Sequence, residues 1–182
     1  MRIIRKSEFI EGRWRNGMGV SWDIASGPAS SEGFGWRFAT ALIERDVPFS
    51  RYPGADRIFT LFEGEGVDLD LTPEAGAPLS LAVPRLFVPC LFASDVPAFC
   101  RLRQGACRAL NLFTRRERWS AAADVLSSGA EIAHPGPILL FALKGAADVD
   151  GHALVEGDAA IAAEHVTADT EGFLFAARLF AP

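Results

Sequence analysis

The chain has 182 residues, of which 49% are hydrophobic, and its formal net charge is −5. This length allows one substantial core or two small ones, and the negative charge argues against a dedicated nucleic-acid-binding protein. No apolar run reaches the length of a membrane span, and the first residues lack the apolar core of a signal peptide. With three cysteines and no CxxC motif, we expect reduced thiols and a cytoplasmic protein without membrane contact.

The first third of the chain alternates between β patterns and turn-rich loops. Strands are predicted at residues 2–5, 20–25 and 36–43. Loops are predicted at residues 14–19 and 27–35, because Asn-Gly and clusters of Ser, Gly and Pro favour turns. This spacing is typical of short strands joined by tight connections.

The most informative stretch covers residues 49–71, which predict a buried hairpin. Its first strand places Arg57, Phe59, Leu61 and Glu63 on one face, because side chains alternate along a pleated strand. Both faces of this strand are mainly apolar, so we expect it to be covered on both sides, with a charged residue near each end. The glycines after Glu63 turn the chain into a return strand.

Strand patterns continue towards the C-terminus. Residues 98–103 and 107–114 predict strands, residues 116–127 predict a short helix or a loop, and β patterns resume at residue 138. Within the second of these strands, Asn111 shares a face with small and apolar neighbours.

The second half of the chain faintly echoes the first. The letters LFEG and then VD at residues 61–68 resemble ALKG and then AD at residues 142–148. Many short strands with regular turns indicate a barrel or a sandwich, and the echo indicates two related ones.

Several short motifs together resemble the HutD/Ves family of bacterial bicupins. The resemblance spans nearly the whole chain, and it departs from the family at Met18, Ser21 and Asp23, where Gly, Thr and Glu are commoner. The matching pieces are Trp14-Arg15-Asn16-Gly17, Asp23-Ile24-Ala25, Trp36-Arg37, Pro48-Phe49-Ser50, Pro53-Gly54, Asp56-Arg57, Glu63-Gly64, Asn111-Leu112 and Thr114-Arg115-Arg116.

The resemblance implies both a fold and a function. The expected fold is an all-β bicupin, with two small jelly-roll-like β-barrels in one compact domain over residues 1–182 and barrel halves at roughly 1–115 and 116–182. The family is associated with histidine utilisation, as a regulatory factor that binds a small pathway metabolite. The resemblance therefore implies a small carboxylate ligand such as urocanate or formylglutamate.

Six polar residues are candidates for ligand binding, because most of them interrupt apolar strand faces. A charged or amide side chain is costly to bury unless it is paired or faces a watered cavity. Arginine offers a forked donor and asparagine both donates and accepts, so the set suits a small carboxylate. The candidates are Asn16, Arg37, Arg57, Glu63, Asn111 and Arg115, with Trp14, Trp36 and Phe49 as an apolar wall.

A purely structural role is the alternative for these candidates. In that case Arg57 pairs with Glu63 or Asp56 and stabilises the barrel, while Asn111 caps a strand end. The arginines between residues 101 and 118 alternate with apolar residues on the predicted strands. This pattern predicts a solvated surface rather than a nucleic-acid groove.

A metal-dependent cupin needs closely spaced imidazoles, typically His-x-His with a carboxylate. Residues 53–57 read PGADR where that motif would lie, and His134, His152 and His165 are far apart. We therefore expect no metal and no other cofactor. Two further hypotheses stay open: a metal-free isomerase or hydrolase with a buried Glu63 as general acid or base, and an interaction protein. A homodimer is compatible with each hypothesis.

Overall fold

The computed structural model describes residues 1–30 and 33–181, and nearly all of the regular structure in these ranges is β. A 3-10 turn covers Lys6–Glu8. The strands are, in chain order, β1 (Arg2–Ile4), β2 (Ile10–Arg13), β3 (Val20–Ser30), β4 (Gly33–Ile43), β5 (Val47–Pro48), β6 (Ala55–Glu63), β7 (Val67–Leu71), β8 (Leu79–Val83), β9 (Cys90–Ala93), β10 (Ala98–Leu102), β11 (Cys107–Arg115), β12 (Ser120–Leu126), β13 (Ala130–Ala133), β14 (Ile138–Lys144), β15 (Ala147–Val149), β16 (His152–Leu154), β17 (Ala159–Ala162), β18 (His165–Thr170) and β19 (Phe173–Phe180).

The chain divides into two compact units. The central unit is Ile10–Arg118, and the terminal unit combines Met1–Phe9 with Trp119–Pro182. The predicted boundary near residue 115 is close to the end of the central unit. The first barrel half was predicted to begin at residue 1, but Met1–Phe9 belong to the terminal unit. Strand β1 pairs there with β17, with Arg2 opposite Ile161.

The central unit consists of two antiparallel sheets around one apolar core. Strands β2-β3-β4-β11-β6-β9 form one sheet and β5-β10-β7-β8 form the other. Both sheets contribute to the core, with Phe59 and Leu61 from β6 and Leu69 from β7 among its fully buried members. The alternation of β7, with Val67 and Leu69 inward, follows the pattern expected for a half-exposed strand.

The prediction of a hairpin over residues 49–71 is wrong in its pairing. Among the described residues, β6 pairs with β11 and β9, whereas β7 pairs with β10 and β8. The turn between them therefore carries the chain from one sheet to the other. Gly64 and Gly66 make this possible, since their φ angles of 104° and 97° are ones that other residues rarely adopt.

The alternation predicted for the central strands is confirmed by their register. On β11, Phe113 lies opposite Arg37 of β4 and Arg57 of β6. Two residues along, Asn111 lies opposite Ala39 and Phe59. Because opposed residues in a sheet point to the same side, one face of this sheet carries both arginines and the asparagine.

The terminal unit also consists of two antiparallel sheets. Their orders are β1-β17-β14-β19-β12 and β13-β18-β15-β16. Its buried core is built from aliphatic residues such as Ile138, Leu140, Val149 and Leu174. The N-terminal segment is fixed by Asp158, whose carboxylate accepts hydrogen bonds from the backbone N–H of Lys6 and from Arg5.

Two local predictions are corrected by the strands. Of residues 116–127, predicted as a helix or a loop, Ser120–Leu126 form strand β12, which pairs with β19, and only the residues before Ser120 form a turn as expected. The loop predicted at residues 27–35 is shorter than expected, since β3 extends to Ser30 and β4 begins at Gly33, with residues 31–32 outside the described ranges. No helix in the described part of the chain is both long and apolar enough to cross a membrane.

Candidate functional site

The central unit contains a cavity of about 40 Å³. Strands β4, β6 and β11 supply much of its lining, and Trp14, Phe49, Ser50 and Tyr52 complete it from the loops. One water molecule needs about 10–15 Å³ on the same measure, so the cavity has room for roughly three non-hydrogen atoms. That is the size of one carboxylate group.

Arg57 is a buried cation at this cavity, with 5% of its surface exposed. Among the described residues, its side chain donates one hydrogen bond, from Nη2 to the carbonyl oxygen of Ser50 at 3.1 Å, and its buried Nε has no partner. Aromatic faces surround the guanidinium, which favours a cation electrostatically. Its Cζ lies 4.5, 4.9 and 5.5 Å from the ring centroids of Phe113, Phe49 and Phe92.

Neither carboxylate that the structural alternative assigns to Arg57 is paired with it. Asp56 forms an ion pair with Arg116 at 2.7 Å, and Glu63 lies 3.2 Å from Arg108. Within the described residues, Arg57 therefore has no ion-pair partner. A buried charge without a partner is energetically costly. Among the described residues, Arg57 is therefore the clearest indication of a ligand site.

The charge state of Arg57 follows from its surroundings. Burial lowers the pKa of Arg57 to about 10, while Tyr52 raises it and Arg37 lowers it by smaller amounts. A group with this pKa is still fully protonated at neutral pH. The cavity therefore presents a permanent positive charge.

Arg37 differs from Arg57 because its donors are occupied. Its Nε donates to Oδ1 of Asp23 at 2.7 Å, its Nη1 to the Tyr52 hydroxyl at 3.0 Å, and its Nη2 to the Ser21 hydroxyl at 3.3 Å. The pair with Asp23 neutralises its charge. The Arg37 side chain therefore lines the cavity in a fixed position, and its charge is balanced by that of Asp23.

Asn111 lines the cavity from the middle of β11 and is 5% exposed. The expectation that it caps a strand end is therefore wrong. Its side-chain amide makes no hydrogen bond to any described residue, although buried amides normally find a partner. It is available to donate to, or accept from, a molecule in the cavity.

The other three candidates do not line the cavity. Asn16 holds the neighbouring loop, since its Nδ2 donates to the Pro48 carbonyl at 2.8 Å and its backbone N–H donates to the Ser50 hydroxyl at 3.2 Å. Arg115 donates from Nη1 to the Pro53 carbonyl. Glu63 ends β6 with 66% of its side chain exposed, so it is not the buried carboxyl that the acid/base hypothesis requires.

The predicted apolar wall is partly present. Trp14 and Phe49 line the cavity, whereas Trp36 is buried outside it. Sequence reasoning missed Ser50 and Tyr52, which bind the two arginines from a loop. One signal was available for Tyr52, because it is the only tyrosine in the chain and stands directly before Pro-Gly.

The histidines do not fit a metal centre. His134 is buried in the terminal unit, with Nε2 2.6 Å from the Leu179 carbonyl oxygen and its ring packed against Phe180. His152 and His165 are exposed. Across residues 1–30 and 33–181, no group of three His, Cys, Asp or Glu side chains is placed to hold a metal ion.

Three arginines of this run, one in β10, one just after it and one just after β11, are matched by acidic neighbours. Arg101 pairs with Asp70 at 2.8 Å, and Arg103 pairs with Asp68 at 2.7 Å. Arg116 pairs with Asp95 at 2.8 Å in addition to Asp56. These ion pairs neutralise Arg101, Arg103 and Arg116, so the described part of the run does not form a continuous basic stripe.

Both units consist of paired antiparallel sheets around an apolar core, and the central unit keeps a small, mainly apolar cavity into which a few polar side chains are placed. This arrangement defines an all-β bicupin, the class that the family resemblance implied. The chain belongs to the HutD family, whose model matches residues 6–175.

Relatives and solved structures agree with this assignment. An uncharacterised 21.2 kDa protein named for the hutC 3′ region of Pseudomonas putida is 28% identical over 151 residues, which cover 82% of this chain and 77% of that protein. Protein Ves of Citrobacter koseri is 34% identical over 109 residues, which cover 59% of this chain and 54% of Ves. The structure of HutD from Pseudomonas fluorescens SBW25 (formate condition) has a TM-score of 0.85 at 23% identity, with 100% of this chain and 98% of that chain covered.

The fold also extends to distant cupins. Pirin from Escherichia coli, in a complex with nickel(II), has a TM-score of 0.66 at 8% identity, and the match covers 97% of each chain. At this identity the similarity shows the fold alone.

Proposed function

We propose that this chain is a metal-free binding protein that recognises a small carboxylate and acts as a regulatory factor in histidine utilisation. The observation that carries the proposal is Arg57, a buried cation that lines the cavity and has no acidic partner among the described residues. A carboxylate there gains charge-assisted hydrogen bonds, which are roughly twice as strong as neutral ones.

The surroundings of Arg57 favour a carboxylate over other anions. The cavity of about 40 Å³ matches one carboxylate head rather than a bulkier phosphate group with its four oxygens. Asn111 offers an amide with free hydrogen-bonding capacity on the same face as Arg57. Phe49 and Phe113 supply apolar contacts for the carbon atoms next to the head group.

The link to histidine utilisation rests on the family and its names. HutD and the hutC-region protein of Pseudomonas putida carry this association in their names. Urocanate and formylglutamate are the candidate ligands, because the family resemblance implies a carboxylate from this pathway.

We favour binding over catalysis. The enzyme hypothesis assigned the acid/base role to Glu63, and that side chain is exposed beside Arg108 and outside the cavity. Within the described lining, the charged groups are the two arginines, which bind anions but rarely transfer protons.

Thermal unfolding with candidate ligands tests the proposal. The protein is first dialysed against a chelator and then unfolded with millimolar urocanate, formylglutamate or histidine. A ligand at about a hundred times its Kd adds roughly 2.7 kcal/mol of stability, which is on the order of 5–10 °C in Tm for this size. The shift is expected to disappear in Arg57→Met and to persist in Arg101→Met, whose arginine is exposed and paired with Asp70. The proposal is wrong if no carboxylate moves the Tm.

A further inference from the structure

The lining of the cavity contains positive side chains, and none of its described members is negative. These residues include Arg37 and Arg57 but no aspartate or glutamate. Asp23 balances the charge of Arg37 from outside the lining, where it contacts that arginine. A positively charged group on a ligand would therefore meet no counter-ion in the described part of the cavity.

Three hydroxyl groups of the lining are placed to donate hydrogen bonds. The Ser21 and Tyr52 hydroxyl oxygens accept hydrogen bonds from Arg37, and the Ser50 hydroxyl oxygen accepts one from the backbone N–H of Asn16. Among the described residues, no acceptor takes the proton of any of these three hydroxyls. Their O–H groups are therefore available to donate to a molecule in the cavity.

Arg57 adds further donors to the same surface. Its described hydrogen bonds use one N–H, for the Ser50 carbonyl, and its buried Nε has no partner among the described residues. The lining also offers acceptors, in the amide oxygen of Asn111 and the hydroxyl oxygen of Thr40, but the donors outnumber them. A ligand that accepts hydrogen bonds fits this surface, whereas an ammonium group has three donors and no acceptor.

From this polarity we propose that the cavity binds carboxylates that lack a free α-amino group and excludes free amino acids. The inference rests on the proposed function, because it names the class of carboxylate that the same site accepts. A carboxylate bound to Arg57 places its α-substituent close to the guanidinium. An α-ammonium group there is repelled by the cation and loses water without gaining a counter-ion. A zwitterion also carries no net charge, so Arg57 attracts it less than it attracts a monoanion.

Two chemical changes make an amino acid acceptable to this site. Loss of the amino group removes the ammonium charge, and acylation converts it into a neutral amide whose carbonyl oxygen accepts hydrogen bonds. The amide N–H can then donate to the side-chain oxygen of Asn111. Urocanate has no amino group and the nitrogen of formylglutamate is acylated, so both candidate ligands belong to the accepted class.

Isothermal titration with four matched probes tests the inference. The probes are imidazolepropionate, imidazolelactate, L-histidine and N-formyl-L-histidine, which share one ring and one chain and differ in the α-substituent. At about pH 7.5 the imidazole is mostly neutral, and the α-amino group of a free amino acid is protonated. Histidine is expected to bind at least about tenfold more weakly than imidazolelactate.

Two comparisons in this series separate charge from size. Imidazolelactate and histidine have equal numbers of non-hydrogen atoms, so a difference between them reflects the ammonium charge. N-formylhistidine is larger than histidine but neutral at its α-nitrogen, and it is expected to recover the affinity of imidazolelactate. Such a recovery cannot arise from a smaller ligand.

A new acidic group in the lining tests the cause of the exclusion. Ser50→Asp supplies a counter-ion for the ammonium, so the ratio of the imidazolelactate and histidine affinities is expected to shrink. The ratio is the readout, because the added charge also pairs with Arg57 and weakens every carboxylate. Ser120→Asp is the matched control, since it changes the net charge equally at an exposed position of β12 in the terminal unit. It is expected to leave the ratio unchanged.

The outcomes separate the two proposals. If histidine binds wild-type protein as tightly as imidazolelactate, the exclusion of amino acids is wrong while carboxylate binding stands. If imidazolepropionate binds and both imidazolelactate and histidine do not, size rather than charge limits the α-substituent, and the inference is wrong. A folded Ser50→Asp protein with the wild-type ratio would contradict the electrostatic cause. If none of the probes binds and neither urocanate nor formylglutamate binds, the proposed function itself is overturned. The wild-type series decides the exclusion even where Ser50→Asp does not fold.

Discussion

Arg57 and Phe113 occupy opposed positions on neighbouring strands, and the guanidinium carbon of Arg57 lies 4.5 Å from the Phe113 ring centroid. The ring face stabilises the cation electrostatically. This contact occupies none of the N–H groups of the guanidinium, because those groups donate hydrogen bonds in the guanidinium plane and the ring lies outside it. An aromatic partner therefore keeps the cation in place and still available to a ligand.

The first prediction concerns the unliganded stability of Arg57→Met. Methionine fills a similar volume without a buried charge, so the free energy of unfolding is expected to stay within about 2 kcal/mol of wild type or to rise. Urea denaturation without ligand measures it. A loss above about 4 kcal/mol would show that Arg57 holds the fold together, and the site assignment would fail.

The second prediction separates a ligand role from a structural role for Asn111. Because its amide has no partner among the described residues, Asn111→Leu is expected to leave apo stability unchanged or higher. Carboxylate affinity is expected to fall by well over tenfold, since hydrogen bonds to a charged group contribute roughly 1.5–3 kcal/mol each. Titration calorimetry and thermal unfolding of the same preparation provide both values.

Asn16→Ala is the contrasting variant. Asn16 bonds to Pro48 and Met18 through its side chain, so its loss is expected to cost about 1–2 kcal/mol of stability. If Asn111→Leu lost stability as Asn16→Ala does and still bound carboxylate normally, Asn111 would be a structural residue.

How far the sequence predicts this site depends on the kind of structure each residue occupies. Arg57 and Asn111 could each be assigned to the same face as particular neighbours on its own strand, because the two-residue period of a strand holds whatever its partners are. Their ionic partners could not be assigned, since these depend on register. A shift in the register between β11 and β6, at Arg108 and Ala109, brings Glu63 opposite Arg108. No pattern in the local sequence predicts this shift.

Loops and weak propensities account for the remaining differences. Ser50 and Tyr52 reach the arginines from irregular backbone, which has no period to extrapolate. The alanine-rich segment Ser120–Leu126 favours a helix by intrinsic propensity, but pairing with β19 along its whole length makes it a strand. Tertiary pairing outweighs the local preference there.

The third prediction concerns pH and the N-terminal segment. Burial raises the pKa of Asp158, but hydrogen bonds from the Lys6 backbone, from Arg5 and from the Val155 backbone outweigh burial and hold the pKa below its ordinary value. The unfolded value is about 3.9. The stabilisation is therefore complete above that value and is lost as the pH falls through the lowered pKa of the folded state.

Asp158→Asn measures that contribution. At pH 7 the variant is expected to be about 1–3 kcal/mol less stable than wild type, because the buried N–H donors lose their anionic acceptor. As the pH falls below the ordinary carboxyl pKa of about 3.9, the difference is expected to shrink. Asp124→Asn, which removes an exposed carboxylate, is expected to change stability by less than about 1 kcal/mol at either pH. Equal costs for the two variants would contradict the prediction.

The fourth prediction compares two glycines near the start of β11. Gly64 has a φ of 104°, and a Cβ there would meet Cys107 Sγ and the Ala106 carbonyl oxygen, the latter at 2.8 Å. Gly105 has a φ of 64° and open space around its Cβ position. Gly64→Ala is expected to cost about 3–5 kcal/mol, and Gly105→Ala only about 1–2 kcal/mol. Chemical denaturation of both variants checks the order, and equal costs would contradict it.

The pairing of β1 with β17 has a consequence for how the chain is made. Arg2 and Ile161 are 159 positions apart (161 − 2). At a synthesis rate of roughly 5–20 residues per second, β1 leaves the ribosome on the order of ten to thirty seconds before its partner exists. The whole of Ile10–Arg118 is translated in that interval. During this time the backbone groups of β1 are open to water or to any cellular factor that binds nascent strands, and the sheet of the terminal unit closes only late in synthesis.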